Sequence, residues 1–173
     1  MSRGGTLRVR NETPEDIPAI HALTRDAFRE AAHTSHTEQF IVDELRRAGA
    51  LHLSLIAEDE GVIVGHVAIS PITITDGTPD WYGLGPISVL PARQQQGIGS
   101  RLMREVLQRL KDQGAAGCVL VGYPAYYSRF GFRQAEGVAV PPIPAEFFLS
   151  MHFSGPAPRG IAAFHPAFEA SGT

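Results

Sequence analysis

The chain alternates between segments with apolar residues at helical spacing and short runs rich in β-branched and other apolar residues. Apolar residues three or four positions apart predict an amphipathic helix, because they fall on one face of a 3.6-residue turn. This pattern predicts helices over 13–30, 38–49 and 97–113, and a short one over 124–130. Thr13 as N-cap with Pro14 after it marks the start of the first helix, and Gly114 is the C-cap expected after the third.

Apolar runs bounded by glycine, proline and acidic residues predict the strands. They cover 7–10, 51–58, 62–72, 81–89, 116–122, 147–153 and 161–164. Asp59-Glu60-Gly61 closes a hairpin between the second and third of these, and the fully apolar run at 116–122 is typical of a central strand. Gly83, Gly85 and Pro86 interrupt regular pairing within 81–89 and predict a bulge or a splay. The order of the elements predicts a mixed α/β fold.

The segment after 81–89 joins a strand to an amphipathic helix through a glycine-rich turn. Gln94, Gly97 and Gly99 form the pattern Q-x-x-G-x-G. The two glycines allow the backbone to bend sharply and to approach a ligand. The first N–H groups of a helix have no partner inside it, and the helix dipole favours an anion there. We therefore expect a phosphate-binding loop, although neither the nucleoside-triphosphate pattern G-x-x-x-x-G-K-[ST] nor the Rossmann pattern G-x-G-x-x-G occurs there.

Composition and charge argue against nucleic-acid-binding and membrane proteins. The 173 residues carry a formal net charge of −3 and no basic run, so we expect neither a nucleic-acid nor a membrane partner. No apolar stretch is long enough to span a bilayer, and the N-terminal residues 1–5 contain no apolar signal region. The single cysteine, Cys118, cannot form an internal disulfide and lies in an apolar run. We therefore expect a buried core thiol and a cytoplasmic protein.

A second motif lies one strand downstream of the loop, where Tyr127 stands four residues before the pair Gly131-Phe132. Together with the Q-x-x-G-x-G loop and the order of elements over 7–135, this motif resembles the GNAT family of N-acetyltransferases. The resemblance implies one N-acetyltransferase domain over 1–173, with a core at 7–135 and added C-terminal strands at 136–168. It also implies a twisted, mostly antiparallel central sheet flanked by helices. The fourth and fifth strands of that sheet, here 81–89 and 116–122, splay apart.

The resemblance also implies acetyl-CoA as the cofactor and direct transfer of its acetyl group to an amine in a ternary complex. Backbone groups of Ile87, Ser88 and Val89 would bond the pantetheine arm and the acetyl carbonyl, with the Val89 N–H stabilising the oxyanion. Tyr127 matches the general acid that protonates the departing thiolate, and Tyr126 is its neighbour. The pyrophosphate would lie on backbone N–H groups within Gln94, Gln95, Gln96, Gly97, Ile98, Gly99 and Ser100.

The chain departs from the family pattern in two places. Gln94 stands where relatives often carry Arg, so any positive charge near the pyrophosphate must come from Arg93 or Arg101. Relatives often have an Asn after the fifth strand, whereas this chain has Gly122-Tyr123. One contact to substrate or cofactor therefore differs from the family.

The general base is left open by the sequence. An amine must be neutral to attack, and many relatives use a Glu near the fourth strand, but 81–89 contains no carboxylate. The nearby candidates are Asp80, His66, Glu58 and Glu38. His66 has a suitable intrinsic pKa, and a hydrogen-bonded strand residue is its alternative role.

The loop 31–37 lies where relatives shape the acceptor pocket. Its His33 and His36 have no further ligands nearby in the sequence, so we expect no metal. We expect a small-molecule or peptide amine as acceptor, and the apolar segment 147–168 is a candidate homodimer surface. Two other functions stay open. One is a non-catalytic coenzyme A sensor, and the other is transfer of a different acyl group, which the pocket around Ile87 and Tyr123 would decide.

Overall fold

The computed structural model describes residues 6–31 and 34–172. Its helices are α1 (Ile17–Phe28), α2 (Glu38–Arg47), α3 (Ile98–Asp112) and α4 (Pro124–Tyr127). Its strands are β1 (Leu7–Asn11), β2 (Leu53–Asp59), β3 (Val62–Pro71), β4 (Thr73–Ile74), β5 (Trp81–Val89), β6 (Gly117–Val121), β7 (Arg133–Gln134), β8 (Val138–Ala139), β9 (Phe148–His152) and β10 (Gly160–Ala163). Short 3₁₀ turns at Pro14–Asp16 and Ser128–Phe130 precede α1 and follow α4.

Seven strands form one sheet in the order β1-β2-β3-β5-β6-β9-β7. Neighbouring strands are antiparallel except for β5 and β6, which are parallel. These two strands pair only through Trp81–Gly83 and Gly117–Val119, and then they separate. The register between β3 and β5 also shifts near Val67, opposite the cis Gly85-Pro86 bond. The predicted mixed α/β fold, with a mostly antiparallel sheet and a splay between these strands, is confirmed.

Helices cover both faces of this sheet. Helix α3 packs so closely on one face that a Cβ built on Gly65 would lie 2.9 Å from the side chains of Ile98 and Leu102. Helices α1 and α2 cover the other face, where Ile20 and Val42 pack on Ile56 of β2. A small second sheet, in the order β4-β10-β8, packs against Trp81 and neighbouring residues of the main sheet. Helix α3 and the helices α1 and α2 therefore lie on opposite sides of β5.

Most predicted elements match the structure within two residues at each end. Helix α1 ends at Phe28, two residues before its predicted end, and β2 begins at Leu53, two residues after its predicted start. The two-residue strands β4, β7 and β8 were not predicted, because so short a strand contains no alternation to recognise. Within 6–31 and 34–172, no helix is both long and apolar enough to cross a membrane.

A partly buried ion pair between Arg10 and Asp16 stabilises the start of α1. The Thr13 backbone N–H donates to Asp16 Oδ2 at 2.7 Å in a capping box, and Arg10 donates to both carboxylate oxygens of Asp16 at 2.8 and 3.2 Å. The hydrogen bonds from Arg10 lower the pKa of Asp16 to about 2 from an ordinary 3.8. This carboxylate links β1 to the first turn before α1.

Because the pKa of Asp16 is lowered by folding, its contribution to stability is present above pH 3.8 and is lost as the pH falls toward 2. We expect Asp16→Asn to lower the urea midpoint at pH 6, and the difference from wild type to shrink near pH 2. The control is Asp26→Asn, which removes a more exposed carboxylate paired with Arg29 and has little effect at either pH. A penalty for Asp16→Asn that is equal at both pH values would contradict this account.

Candidate active site

The edge of β5 that faces β6 is open beyond Gly83. The Leu90 N–H donates to the Val64 carbonyl of β3 at 3.0 Å, and the backbone polar groups of successive residues in a strand point to opposite sides. The N–H and C=O groups of Val89 and Ile87 therefore point away from β3, into the gap that β6 leaves. A ligand in this gap is offered a ladder of backbone donors and acceptors.

The same alternation places Ser88 differently from its neighbours. Ser88 is the register partner of His66, so its backbone groups are directed at β3 and are not offered to the gap. Its side chain lies on the α1 side of the sheet, because the side chains of Ile87 and Val89 pack toward the core under α3. The Ser88 residue is 3% exposed, and its hydroxyl has no hydrogen-bond partner among the described residues.

The glycine-rich loop leaves β5 in an unusual backbone conformation. Gln95 and Gly97 have φ values of 65° and 83°, in the left-handed region that favours glycine. The Gln94 side-chain amide donates to the Val89 carbonyl at 3.2 Å, and Gln96 accepts from Arg93 Nε at 2.9 Å. The loop is thus braced by its own side chains directly beside the open edge of β5.

The loop ends at the N-terminus of α3. The Arg101 N–H makes a bond to the Gly97 carbonyl at 3.1 Å, so helical bonding starts there and the N–H groups from Gly97 through Ser100 have no acceptor inside the helix. The Ile98 side chain is buried in the core, so only its backbone is available to a ligand. A Cβ built on Gly99 would lie 3.5 Å from Tyr126 Oη and 3.7 Å from Val89 Cγ2. These free donors and the helix dipole suit an anion.

The two cations expected to assist this anion have other partners. Arg93 donates to the buried carboxylate of Asp59 at 2.8 Å, so much of its charge is balanced there. Arg101 donates to the Leu7 carbonyl at 2.7 Å. Because a carbonyl carries no net charge, Arg101 is the better source of positive potential near the loop.

Tyr127 and Tyr126 lie on α4, across the splay from β5. The Tyr127 ring packs edge-on against Phe132 and sits over Gly122, where an added Cβ would lie 2.4 Å from the ring. Burial, and then the charge of Tyr126, raises the pKa of Tyr127 to about 12, so its hydroxyl is protonated at neutral pH. Tyr126 is 37% exposed and directs its hydroxyl toward Gly99. The two phenols therefore lie against different glycines, Tyr126 near Gly99 and Tyr127 over Gly122, although the residues are adjacent in the sequence.

The four candidate bases lie in different surroundings. Asp80 precedes β5 at the end opposite Val89, roughly 30 Å away at strand spacing. Glu58 is paired with Arg10 at 3.1 Å. Glu38 accepts from the Thr34 hydroxyl at the start of α2, and its other oxygen is buried without a partner among the described residues. His66 is fully buried on the α1 side of β3.

Other predicted features occupy the periphery. Ala31 and residues at the end of α1 line a cleft of about 590 Å³, whose other wall is formed by residues 90–92 and Gln94. His33 lies outside the described residues, and no cluster of metal-binding side chains occurs among those described. Cys118 is fully buried, as predicted, and burial raises the pKa of its thiol. Tyr123 is exposed at the splay and contacts Phe147 edge-on.

Comparison with known proteins agrees with this geometry. The acetyltransferase (GNAT) domain family matches residues 8–135. The chain is 40% identical over 130 residues to the uncharacterized N-acetyltransferase YhbS of Escherichia coli K12, covering 75% of each protein. It is 31% identical over 137 residues to the uncharacterized N-acetyltransferase YjhQ of the same strain, covering 76% of this chain and 74% of YjhQ.

Two solved structures share the fold over nearly the whole chain. A GNAT family acetyltransferase from Brucella melitensis, in complex with acetyl-CoA, has 45% sequence identity and a TM-score of 0.84, covering 94% of this chain and 98% of its own. YhbS from Escherichia coli, in complex with CoA, has 33% identity and a TM-score of 0.87, covering 96% of this chain and 94% of its own. The chain belongs to the GNAT family of N-acetyltransferases.

Proposed function

We propose that this protein binds acetyl-CoA and transfers its acetyl group to a primary amine by direct attack within a ternary complex. The observation that carries this proposal is the continuity of two surfaces. The open backbone edge at Ile87 and Val89 leads directly to the free N–H groups of Gly97–Ser100. Acetyl-CoA carries its thioester on an amide-containing arm that ends at a pyrophosphate. It therefore needs hydrogen-bonding groups along the arm and an anion site at the end of the arm. The acetyl-CoA and CoA complexes of the two relatives support this cofactor.

The thioester would lie beside Val89, with the pantetheine arm along Ile87 and Val89. In this placement the Val89 N–H donates to the acetyl carbonyl and stabilises the oxyanion that forms on attack. Holding the thioester against the amine supplies much of the rate gain through orientation. Because CoA enters from the α3 side, the amine approaches from the side covered by α1 and α2. The C-terminal strands pack on Trp81 of the sheet, which supports one domain over 1–173.

We expect Tyr127→Phe to lower kcat by about 100-fold, the usual scale for general acid catalysis, with little change in acetyl-CoA affinity. The phenol acts as an acid only while protonated, and a raised pKa extends that form upward to about pH 12. We therefore expect no loss of activity through deprotonation of Tyr127 below about pH 10. Tyr126→Phe is the matched control, with kcat near wild type. Equal turnover by wild type and Tyr127→Phe would remove Tyr127 from the acid role.

The acceptor is identified by a screen with acetyl-CoA and a panel of primary amines. The panel contains polyamines, amine antibiotics, amino acids, and peptides with free N-termini, and the readout is free CoA thiol together with the acetylated product. Initial rates with both substrates varied give intersecting reciprocal plots for a ternary complex. Parallel plots would indicate a covalent acetyl-enzyme and contradict direct attack. Acetyl-CoA binding without product for any amine would favour a sensor.

A further inference from the structure

Carboxylates are absent from the two segments that border the proposed CoA path. Residues 81–104, which contain β5, the glycine-rich loop and the first turns of α3, include no Asp or Glu. Residues 113–135, which contain β6 and α4, include none either. The whole chain nevertheless has 18 acidic residues and a formal net charge of −3. Positive charges in these two segments are therefore not balanced by acidic neighbours in the sequence.

Two arginines of these segments lie on a pair of aromatic rings. The Arg129 guanidinium lies over the Tyr126 ring, 4.6 Å from its centre, and the Arg104 guanidinium lies over the Phe130 ring at 5.6 Å. The two rings contact each other edge-on, with their centres 5.6 Å apart. Both arginines are exposed, and in the part of the chain that the structure describes neither side chain makes an ion pair or a hydrogen bond. Their charges are thus available to a ligand.

This aromatic pair adjoins the start of α3, where the pyrophosphate is proposed to lie. Tyr126 Oη lies 3.5 Å from the position of a Cβ built on Gly99. Arg104 follows Gly99 by five residues in the same helix, so its Cα lies roughly 7.5 Å further along the helix axis. In CoA, a single ribose separates the pyrophosphate from the 3′-phosphate. The two guanidinium groups therefore lie on the α4 flank of the loop, a short distance beyond the proposed pyrophosphate position.

The other flank of the loop, which faces β1 and β2, holds its cations differently. Arg93 is paired with the Asp59 carboxylate at 2.8 Å, so its charge is balanced there. The Arg101 guanidinium donates to the Leu7 carbonyl at 2.7 Å, which directs this side chain toward β1. A further phosphate on that flank would meet the Asp59 carboxylate, whereas the α4 flank presents two arginines without acidic partners. Charge therefore favours the α4 flank for the 3′-phosphate.

Contact with an aromatic ring leaves an arginine able to bind phosphate. The ring attracts the cation but offers no lone pair, so the N–H donors of each guanidinium still lack oxygen acceptors. The contact also restricts the side chain, so less conformational entropy is lost when a ligand is bound. A guanidinium presents its donors as a planar fork that matches two phosphate oxygens. Two such forks side by side suit a terminal phosphate.

We propose that Arg104 and Arg129 bind the 3′-phosphate of CoA, and that this contact selects free acyl-CoA over acyl donors without that group. Such donors are acetyl-dephospho-CoA and an acetyl group on the phosphopantetheine arm of a carrier protein. This inference rests on the proposed binding of acetyl-CoA and adds the group by which the donor is recognised. The contact is remote from the thioester, so it strengthens donor binding without changing the chemical step.

Calorimetric titration with acetyl-CoA and with acetyl-dephospho-CoA, which lacks only the 3′-phosphate, tests the proposal without any assay of activity. We expect the wild type to bind acetyl-dephospho-CoA roughly 10- to 100-fold more weakly, the usual scale for hydrogen bonds to a charged group. Arg104→Gln and Arg129→Gln should each raise the Kd for acetyl-CoA by about 10-fold and leave the Kd for acetyl-dephospho-CoA unchanged. The double variant should bind the two ligands equally.

Arg133→Gln is the matched control. Arg133 is another exposed arginine of 113–135, and its side chain likewise has no ion pair or hydrogen bond with any residue that the structure describes. It lines a cavity with Trp81 and Val119, which pack under the second sheet and not under α3. We therefore expect Arg133→Gln to bind both ligands like the wild type. Arg129→Lys should bind acetyl-CoA with an intermediate Kd, because lysine keeps the charge but lacks the fork.

Kinetics with the best amine of the screen gives a second measurement. Arg104→Gln and Arg129→Gln should raise the KM for acetyl-CoA while kcat stays near that of the wild type, because the lost contact is the same in the ground state and the transition state. A fall in kcat at unchanged KM would place these arginines in the chemical step and contradict the proposal.

Two binding results would overturn the proposal. One is equal affinity of the wild type for acetyl-CoA and acetyl-dephospho-CoA. The other is an equal loss of affinity for both ligands in Arg104→Gln and Arg129→Gln, since a contact with the pyrophosphate or a change of fold affects both ligands alike. In both cases the wild type still binds acetyl-CoA, so this failure is distinct from failure of the proposed function. Absence of acetyl-CoA binding by the wild type would refute the proposed function and this inference with it.

Discussion

Gly99→Glu is expected to raise the Kd for acetyl-CoA by roughly 30-fold or more while the protein stays folded. The new carboxylate would stand among the free N–H groups of Gly97–Ser100, where the pyrophosphate is proposed to bind. At about 4 Å, like charges near a protein surface repel by roughly 1–4 kcal/mol, and each 1.4 kcal/mol is a tenfold change in Kd. Isothermal titration calorimetry with acetyl-CoA measures the effect directly.

Two other substitutions at the same position separate charge from size. Gly99→Ala should bind almost like wild type, because a Cβ there has only ordinary contacts with Tyr126 and Val89. Gly99→Gln has the bulk of Glu without its charge, so its Kd should fall between those of the Ala and Glu variants. If Gly99→Glu binds as tightly as Gly99→Ala, the pyrophosphate does not lie at the N-terminus of α3.

Gly117→Ala is expected to lower the free energy of unfolding by about 2 kcal/mol, a typical cost of overpacking a core. Trp81 crosses directly above Gly117 on the neighbouring parallel strand. A Cβ on Gly117 would lie 2.3–2.6 Å from three carbons of the six-membered ring of Trp81. The indole is rigid and buried, so the strands themselves must move apart. Urea unfolding of the two proteins at pH 7 gives the difference.

The double variant Trp81→Phe/Gly117→Ala tests the cause. Phenylalanine lacks the ring atoms that the new methyl group would meet, so Gly117→Ala should cost little in the Trp81→Phe background. The double variant should therefore be more stable than the sum of the two single effects predicts, by most of the penalty that Gly117→Ala has alone. Additive effects would show that strain elsewhere, and not contact with Trp81, destabilises the alanine variant.

The parts of the fold predicted from sequence are those encoded locally. Helix α3 follows from apolar residues at every fourth position, and the splay follows from the glycines and proline inside β5. The backbone donors of the glycine-rich loop were also predictable, because they depend on Gly97, Gly99 and the start of a helix. The site residues taken from the resemblance stay predictions until binding and turnover are measured.

The parts that sequence did not predict depend on residues far apart in the chain. Arg93 meets Asp59 across 34 positions, and Ser54 meets Glu12 across 42. No periodicity marks such pairs. The ion pair of Arg93 with Asp59 and the hydrogen bonds that join Glu12, Ser54 and His66 therefore became visible only in the fold. Ser88 is a related case, since its backbone direction depends on the register between β3 and β5.

Titration of the wild-type protein with acetyl-CoA in a calorimeter shows whether this chain binds the proposed cofactor. We expect saturable binding of one molecule per chain with a micromolar Kd. Absence of heat at high protein concentration, together with no shift in Tm on adding acetyl-CoA, would contradict it. The chain would then keep the family fold without the proposed cofactor.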